Sequence, residues 1–78
     1  GRDYEPVWAL DGGDDGLDFY RAILKNWKGV IRQGGMLMFE VGEDQAGDVK
    51  DLMRMAGLHD AQSIKDPRGV ERVVTARA

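Results

Sequence analysis

Apolar residues at Leu17, Tyr20, Leu24, Trp27 and Ile31 recur at alternating intervals of three and four, with Ile23 and Val30 widening the stripe. That is the repeat of one buried helix face. It predicts a helix from Leu17, with Asp14 or Asp15 capping its start and Gly34 its end. After the Gly34-Gly35 break the pattern changes. Met36 to Gly42 (MLMFEVG) is a short continuous apolar run, which predicts a strand buried on both faces and central in a sheet. A second helix is expected from about Gln45 to Ala56, capped by Asp44 and burying Ala46, Val49, Leu52, Met53 and Ala56. Gly57 suits a left-handed C-cap, from which Leu58 packs back on Met53.

Asp60 to Lys65 (DAQSIK) is polar enough for an edge strand. Asp66-Pro67-Arg68-Gly69 has the residue order of a type I turn, and Val70 to Arg77 returns as the other arm of a hairpin. Val73, Val74, Thr75 and Ala76 put small or β-branched groups on both sides. This strand therefore belongs inside the sheet, beside Met36 to Gly42, giving the three strands the order first, third, second. Residues 1–16 show no sustained period and read as an extended acidic lead-in. The architecture is an α/β half-sheet: helix, strand, helix, strand, strand. A right-handed crossover puts the second helix on one face, and the first falls on the same face. Strands that look apolar on both sides then lack cover on the other, so residues 1–78 read as a single partial domain.

Composition narrows the class. A chain of 78 residues buries only roughly 60% of the surface it exposes when unfolded, so its stability margin is thin. With no cysteine there are no disulfides and no thiolate metal sites, and the expected location is cytoplasmic. No apolar run approaches a membrane span. A net charge of −3 and basic residues scattered along the chain disfavour a nucleic-acid surface.

Several residues carry candidate chemistry. Gly12-Gly13-x-x-Gly16 ahead of a helix has the look of a phosphate cradle, but no strand is expected before it and Asp11, Asp14 and Asp15 repel an anion. Asp14, Asp15 and Asp18, or Glu43 and Asp44, offer oxygens to a hard cation without matching a known loop spacing; a solvated acidic helix start is the better account. Glu40 ends an apolar strand, where α/β sheets place ligands. Two roles stand open for it: a structural carboxylate satisfied by Arg72 or a backbone N–H, or a group lining a pocket. His59 has no second ligand nearby and reads as a surface residue. Trp8 covers core, and Met36, Met38, Met53 and Met55 are adaptable packing.

Tyr4-Glu5-Pro6 through Ala9-Leu10, then Gly12-Gly13-Asp14-Asp15-Gly16-Leu17 and Phe19-Tyr20-Arg21, resemble the EPxxAL, GGxDGL and xFYR segments of bacterial release-factor glutamine methyltransferases. The likeness continues through Gly34-Gly35, Phe39-Glu40-Val41-Gly42, Gln45-Ala46, Ala56-Gly57, Lys65-Asp66 and Arg72-Val73-Val74, in order and spacing. The resemblance implies the C-terminal part of a Rossmann-like class I methyltransferase sheet, whose last strand runs antiparallel between the two before it. It implies S-adenosylmethionine as the parent protein's cofactor. The implied substrate is the Gly-Gly-Gln glutamine of a peptide-chain release factor, activated by an Asn-Pro-Pro-Tyr loop. This chain departs from that pattern. Its prolines are Pro6 and Pro67, so that loop is missing, as are the glycine-rich cofactor turn and the acidic ribose holder.

No catalytic, cofactor-binding or metal residue is therefore expected here, and the chain alone is expected to be inactive. Tyr4, Glu5 and Pro6 are the implied substrate-binding segment. The expected partners are the missing N-terminal half of the domain and the parent's release factor, with no direct nucleic acid, no membrane, and self-association through the uncovered sheet face. Two alternatives stay open: a self-contained interaction module, and part of a methyltransferase with another substrate.

Overall fold

The structure is a computed structural model that describes residues 6–9, as backbone, and residues 17–78. In chain order the elements are β1 (Pro6–Ala9), α1 (Asp18–Lys25), a 3₁₀ turn (Trp27–Gly29), β2 (Met36–Glu40), α2 (Ala46–Met55), β3 (His59–Lys65) and β4 (Glu71–Arg77). The sheet order is β1-β2-β4-β3. β4 runs antiparallel between β2 and β3, and β3 lies at an edge, as the polarity of residues 60–65 and the small or β-branched groups on both sides of β4 predict. One strand is additional. Pro6–Ala9, within the stretch read as a lead-in, pairs parallel with β2 from Pro6 opposite Met36 to Ala9 opposite Phe39. Proline is tolerated there because Pro6 opens an edge strand, where its missing N–H breaks no ladder.

The two crossovers, β1-α1-β2 and β2-α2-β3, step across the sheet in the same direction. Right-handed connections therefore put both helices on one face. On that face Leu37 and Phe39 of β2 meet Ala76 and Val74 of β4, and all four are buried with Tyr20, Leu24, Val49 and Met53 of the helices in one cluster. The opposite face is different. Met36 and Met38 are only half-buried, Glu40 is exposed, and Ile64 on β3 is 51% exposed. β2 is thus fully buried on one face, not on both.

The first apolar stripe is correct, but the helix does not run its length. Tyr20, Leu24, Trp27 and Ile31 are all buried, while Val30 is exposed. α1 stops at Lys25, Asn26 takes a non-helical φ of −123°, and the chain tightens into the 3₁₀ turn. Asparagine favours such breaks because its side chain competes for backbone hydrogen bonds. The turn aims Trp27 at α2, where the indole Nε1 donates to the Ala56 carbonyl at 2.6 Å. Ala56 is the C-cap of α2, so the indole satisfies one of the carbonyls a helix end leaves open.

Gly34 does not cap that helix. It is the third residue of a turn closed by Gly35 N–H on Arg32 O at 2.9 Å, with a φ of 87°. Next to it Gly35 is enclosed: a Cβ there would lie 2.6 Å from Ile31 Cγ2 and 2.9 Å from Arg32 O. α2 is preceded by Gln45 in place of Asp44, and the Gln45 amide oxygen accepts from Gly42 N–H at 2.7 Å. Its C-terminus is as expected. Gly57 has a φ of 97°, its N–H donates to Arg54 O at 3.0 Å, and Leu58 N–H reaches back to Met53 O at 3.0 Å. That pair of bonds is the Schellman arrangement, and it buries Leu58 in the same cluster as Met53.

Candidate functional site

Parallel strands of α/β sheets present ligands at their C-terminal ends, which makes the end of β2 the candidate site. Three contacts hold it. The Tyr20 hydroxyl donates to the Glu40 carbonyl at 2.6 Å, with its ring edge-on to Phe39 at 4.8 Å. Val41 N–H donates to Arg72 O at 2.9 Å, and Gln45 holds Gly42 as described. The Phe19-Tyr20-Arg21 segment is thereby explained as scaffold: Tyr20 ties α1 to the strand end, and Arg21 pairs with Asp18 at 2.8 Å.

The Glu40 carboxylate is exposed, not a buried charge, and Arg72 is not its partner. Glu40 lies opposite Val73, and neighbours along a strand point to opposite faces, so Arg72 belongs to the other side. A register shift reinforces this: Ile64 pairs with Val73 but Lys65 pairs with Glu71, which leaves Arg72 as the extra residue of a bulge. Bulges re-aim side chains. Arg72 Nε lies 3.3 Å from Asp66 Oδ2, and its guanidinium is 3.9 Å from Glu43.

Asp66 is the hub of the hairpin. Its carboxylate accepts from Arg68 N–H at 2.8 Å and from Val70 N–H at 3.1 Å, besides the guanidinium of Arg72. The Val70 bond is the largest of the influences that hold its pKa at about 2, against an ordinary 3.8. This is turn chemistry more than catalysis.

Of the other candidates, Tyr4, Glu5, Asp14, Asp15 and the Gly12 to Gly16 segment lie outside the described residues. Pro6 opens β1 opposite Met36, at the start of β2, about 13 Å along the strand from Glu40 at 3.3 Å per residue; the two are not brought together. A strand does precede Gly12-Gly13, since β1 ends at Ala9. The nearness of Asp11, Asp14 and Asp15 in sequence still argues against a phosphate. His59 is exposed, with Nε2 3.2 Å from Ala78 O. Among the described residues, no three His, Cys, Asp or Glu gather as metal ligands would. No helix of the described residues is long and apolar enough to cross a membrane.

A different feature was not anticipated. Two hollows, each of about 490 Å³, flank the Trp27 indole. The first lies between α1 and α2, with Leu24, Trp27, Leu52 and Ala56 beneath and Arg21, Lys25 and Lys28 along the rim. The second adds Arg32 and His59. Basic residues that look scattered in sequence are thus gathered on one flank. Their spacing of four, three and four from Arg21 to Arg32 is the signal that finds them. A methyl-donating sulfonium is itself a cation, so these basic-rimmed hollows do not suit S-adenosylmethionine.

No family model matches the chain. Among curated proteins, the "Release factor glutamine methyltransferase" of Geobacter sulfurreducens is 46% identical over 76 residues, 97% of this chain and 27% of that protein. The protein of the same name from Clostridium acetobutylicum is 43% identical over 75 residues, 96% of this chain and 26% of that protein. The crystal structure of a release factor-specific protein-(glutamine-N5) methyltransferase from Alicyclobacillus acidocaldarius superposes with a TM-score of 0.64 at 31% identity, covering 94% of this chain and 44% of that one. The chain therefore spans about a quarter of the length of the curated relatives it matches, and its α/β sheet corresponds to the C-terminal part of the methyltransferase structure. In sequence and in fold, the chain is similar to the C-terminal part of proteins named release factor glutamine methyltransferase.

Proposed function

We propose that this chain is the closing end of the catalytic sheet in a protein-(glutamine-N5) methyltransferase, one part of a larger domain. The whole enzyme moves a methyl group from S-adenosylmethionine to the side-chain amide nitrogen of the Gly-Gly-Gln glutamine in a peptide-chain release factor. The observation that carries this reading is identity of 43 to 46% along nearly the entire chain, joined to agreement of fold. An amide nitrogen is a weak nucleophile, so such a transfer depends on positioning and on polar groups fixed in advance. The contribution of this segment is rigidity at the strand end: Tyr20 and the Val41 to Arg72 bond fix the backbone from which the Glu40 carboxylate projects. Glu40 then lines the pocket of the assembled enzyme, and the Tyr4-Glu5-Pro6 segment takes part in substrate binding away from Glu40.

A chimera tests the assignment. Residues 1–78 replace the matching segment of the Clostridium acetobutylicum relative, and methylation of a release factor's glutamine is followed by mass spectrometry. Transfer by the chimera is expected; a folded chimera that transfers nothing sinks the reading. The isolated chain is expected to transfer no methyl group and to show no calorimetric binding of S-adenosylmethionine. Micromolar binding by the chain alone overturns the scaffold role.

A further inference from the structure

We infer that the Trp27 flank is a docking surface for an acidic, amphipathic helical segment of another protein. The inference is independent of the methyltransferase reading and rests on the shape, polarity and charge of the groove between α1 and α2. Its floor is apolar, formed by Leu24, Trp27, Leu52 and Ala56. Its far wall is Met55, 83% exposed on α2. Methionine at an exposed wall adapts to the side chains of a partner. A floor of this kind between two helices suits the apolar stripe of a third.

Charge selects the partner. The chain as a whole is acidic, with fourteen Asp and Glu against eleven Lys and Arg, yet among the described residues no Asp or Glu lines either hollow beside Trp27. Arg21, Lys25 and Lys28 border the first hollow and Lys28 and Arg32 the second. Arg21 is engaged with Asp18. Lys28 holds its ammonium 5.8 Å from the centre of the Trp27 ring. Among the described residues neither Lys25 nor Lys28 forms a salt bridge, and both are exposed. Cations concentrated over an apolar floor, on a chain of net negative charge, complement a helix bearing carboxylates beside its apolar stripe. The floor is also fixed in advance, since Trp27 is anchored to the end of α2 by its bond to Ala56 O. Docking therefore needs no rearrangement of the indole.

The test uses the 78-residue chain and a fluorescein-labelled synthetic helix with leucines on one face and glutamates flanking them, beside the same peptide with lysine for every glutamate. Fluorescence anisotropy is expected to report binding of the glutamate peptide alone. Lys25→Glu/Lys28→Glu is expected to weaken that binding by about tenfold or more, and raising salt from about 0.05 to 0.5 M should weaken it further. Met55→Ala should weaken it with little change in salt dependence. Equal binding of the lysine peptide, or indifference to the double substitution in a chain with unchanged circular dichroism, overturns the inference. So does tighter binding of a single-stranded oligonucleotide of equal charge. Self-association abolished by the same substitutions gives the groove to a second copy and also overturns it. Should the double variant fail to fold, the comparison of the two peptides on the unaltered chain decides the matter.

Discussion

Asp66 accepts hydrogen bonds from two backbone N–H groups and from arginine, all of which favour its ionised form. Its pKa of about 2, below the ordinary 3.8, carries a definite sign. A carboxyl whose folded pKa is depressed stabilises the fold above its unfolded pKa, and that contribution is lost as pH falls through the folded value. Wild-type stability is therefore expected to fall more steeply between about pH 4 and pH 2 than that of Asp66→Asn, with the two converging near pH 2. Thermal melts at stepped pH follow the difference; parallel curves across that window contradict the assignment. Tyr20 allows a simpler measurement. Tyr20→Phe keeps the ring against Phe39 but leaves the Glu40 carbonyl without its 2.6 Å donor, at a cost of about 1 kcal/mol in urea unfolding. These residues also show where sequence stops being informative. Asp66 is legible because a four-residue turn has local rules. Arg72 is not, because pairing it with Glu40 requires the register of β2 on β4, which no local pattern encodes: Glu40 falls opposite Val73, and alternation then turns Arg72 to the other face.

Elements were legible in proportion to how locally they are determined. The end of α2 is written in Ala56-Gly57-Leu58, since a left-handed residue after a helix closes the same two hydrogen bonds wherever it occurs. That position and Gly47 in the same helix make opposite predictions. Gly57→Ala forces a Cβ into a φ of 97° and should destabilise by roughly 1–2 kcal/mol. At Gly47 an added Cβ would meet nothing within 4 Å, and the backbone there is ordinary helix, so Gly47→Ala should stabilise by about 0.5 kcal/mol. Paired urea titrations read both, and a shared sign refutes the cap. The break in α1 was not legible, because the three-and-four spacing persists through Trp27 and Ile31 although the backbone has left the α-helix; burial follows the stripe, not the hydrogen bonds. β1 was missed for the opposite reason. Four residues, Pro6–Ala9, are too few to show a period, and their pairing is with a strand beginning at Met36, which no local pattern encodes.

At the scale of the molecule, the main consequence of topology is asymmetry between the two faces of the sheet. Both crossovers send their helices to the side of Leu37 and Phe39, so neighbouring residues of one strand experience different surroundings. Phe39 is completely buried, against Tyr20, whereas Met38, one position earlier, is half-buried on the far face. Removing a large core side chain costs about 3–5 kcal/mol, and a single core of this size rarely supplies more than about 3–5 kcal/mol in total. Phe39→Ala is therefore expected to abolish the cooperative melt of the chain followed by circular dichroism. Met38→Ala should leave a cooperative transition, because a partly exposed side chain surrenders less buried area and leaves no enclosed cavity. If the two substitutions unfold the chain equally, something covers the far face in solution, and a second copy bound there is detected by sedimentation at the same concentration. If only Phe39→Ala does so, the helices on one side are sufficient to hold the sheet. The far face, with Met36, Met38 and Ile64, then remains open to the rest of the domain proposed above.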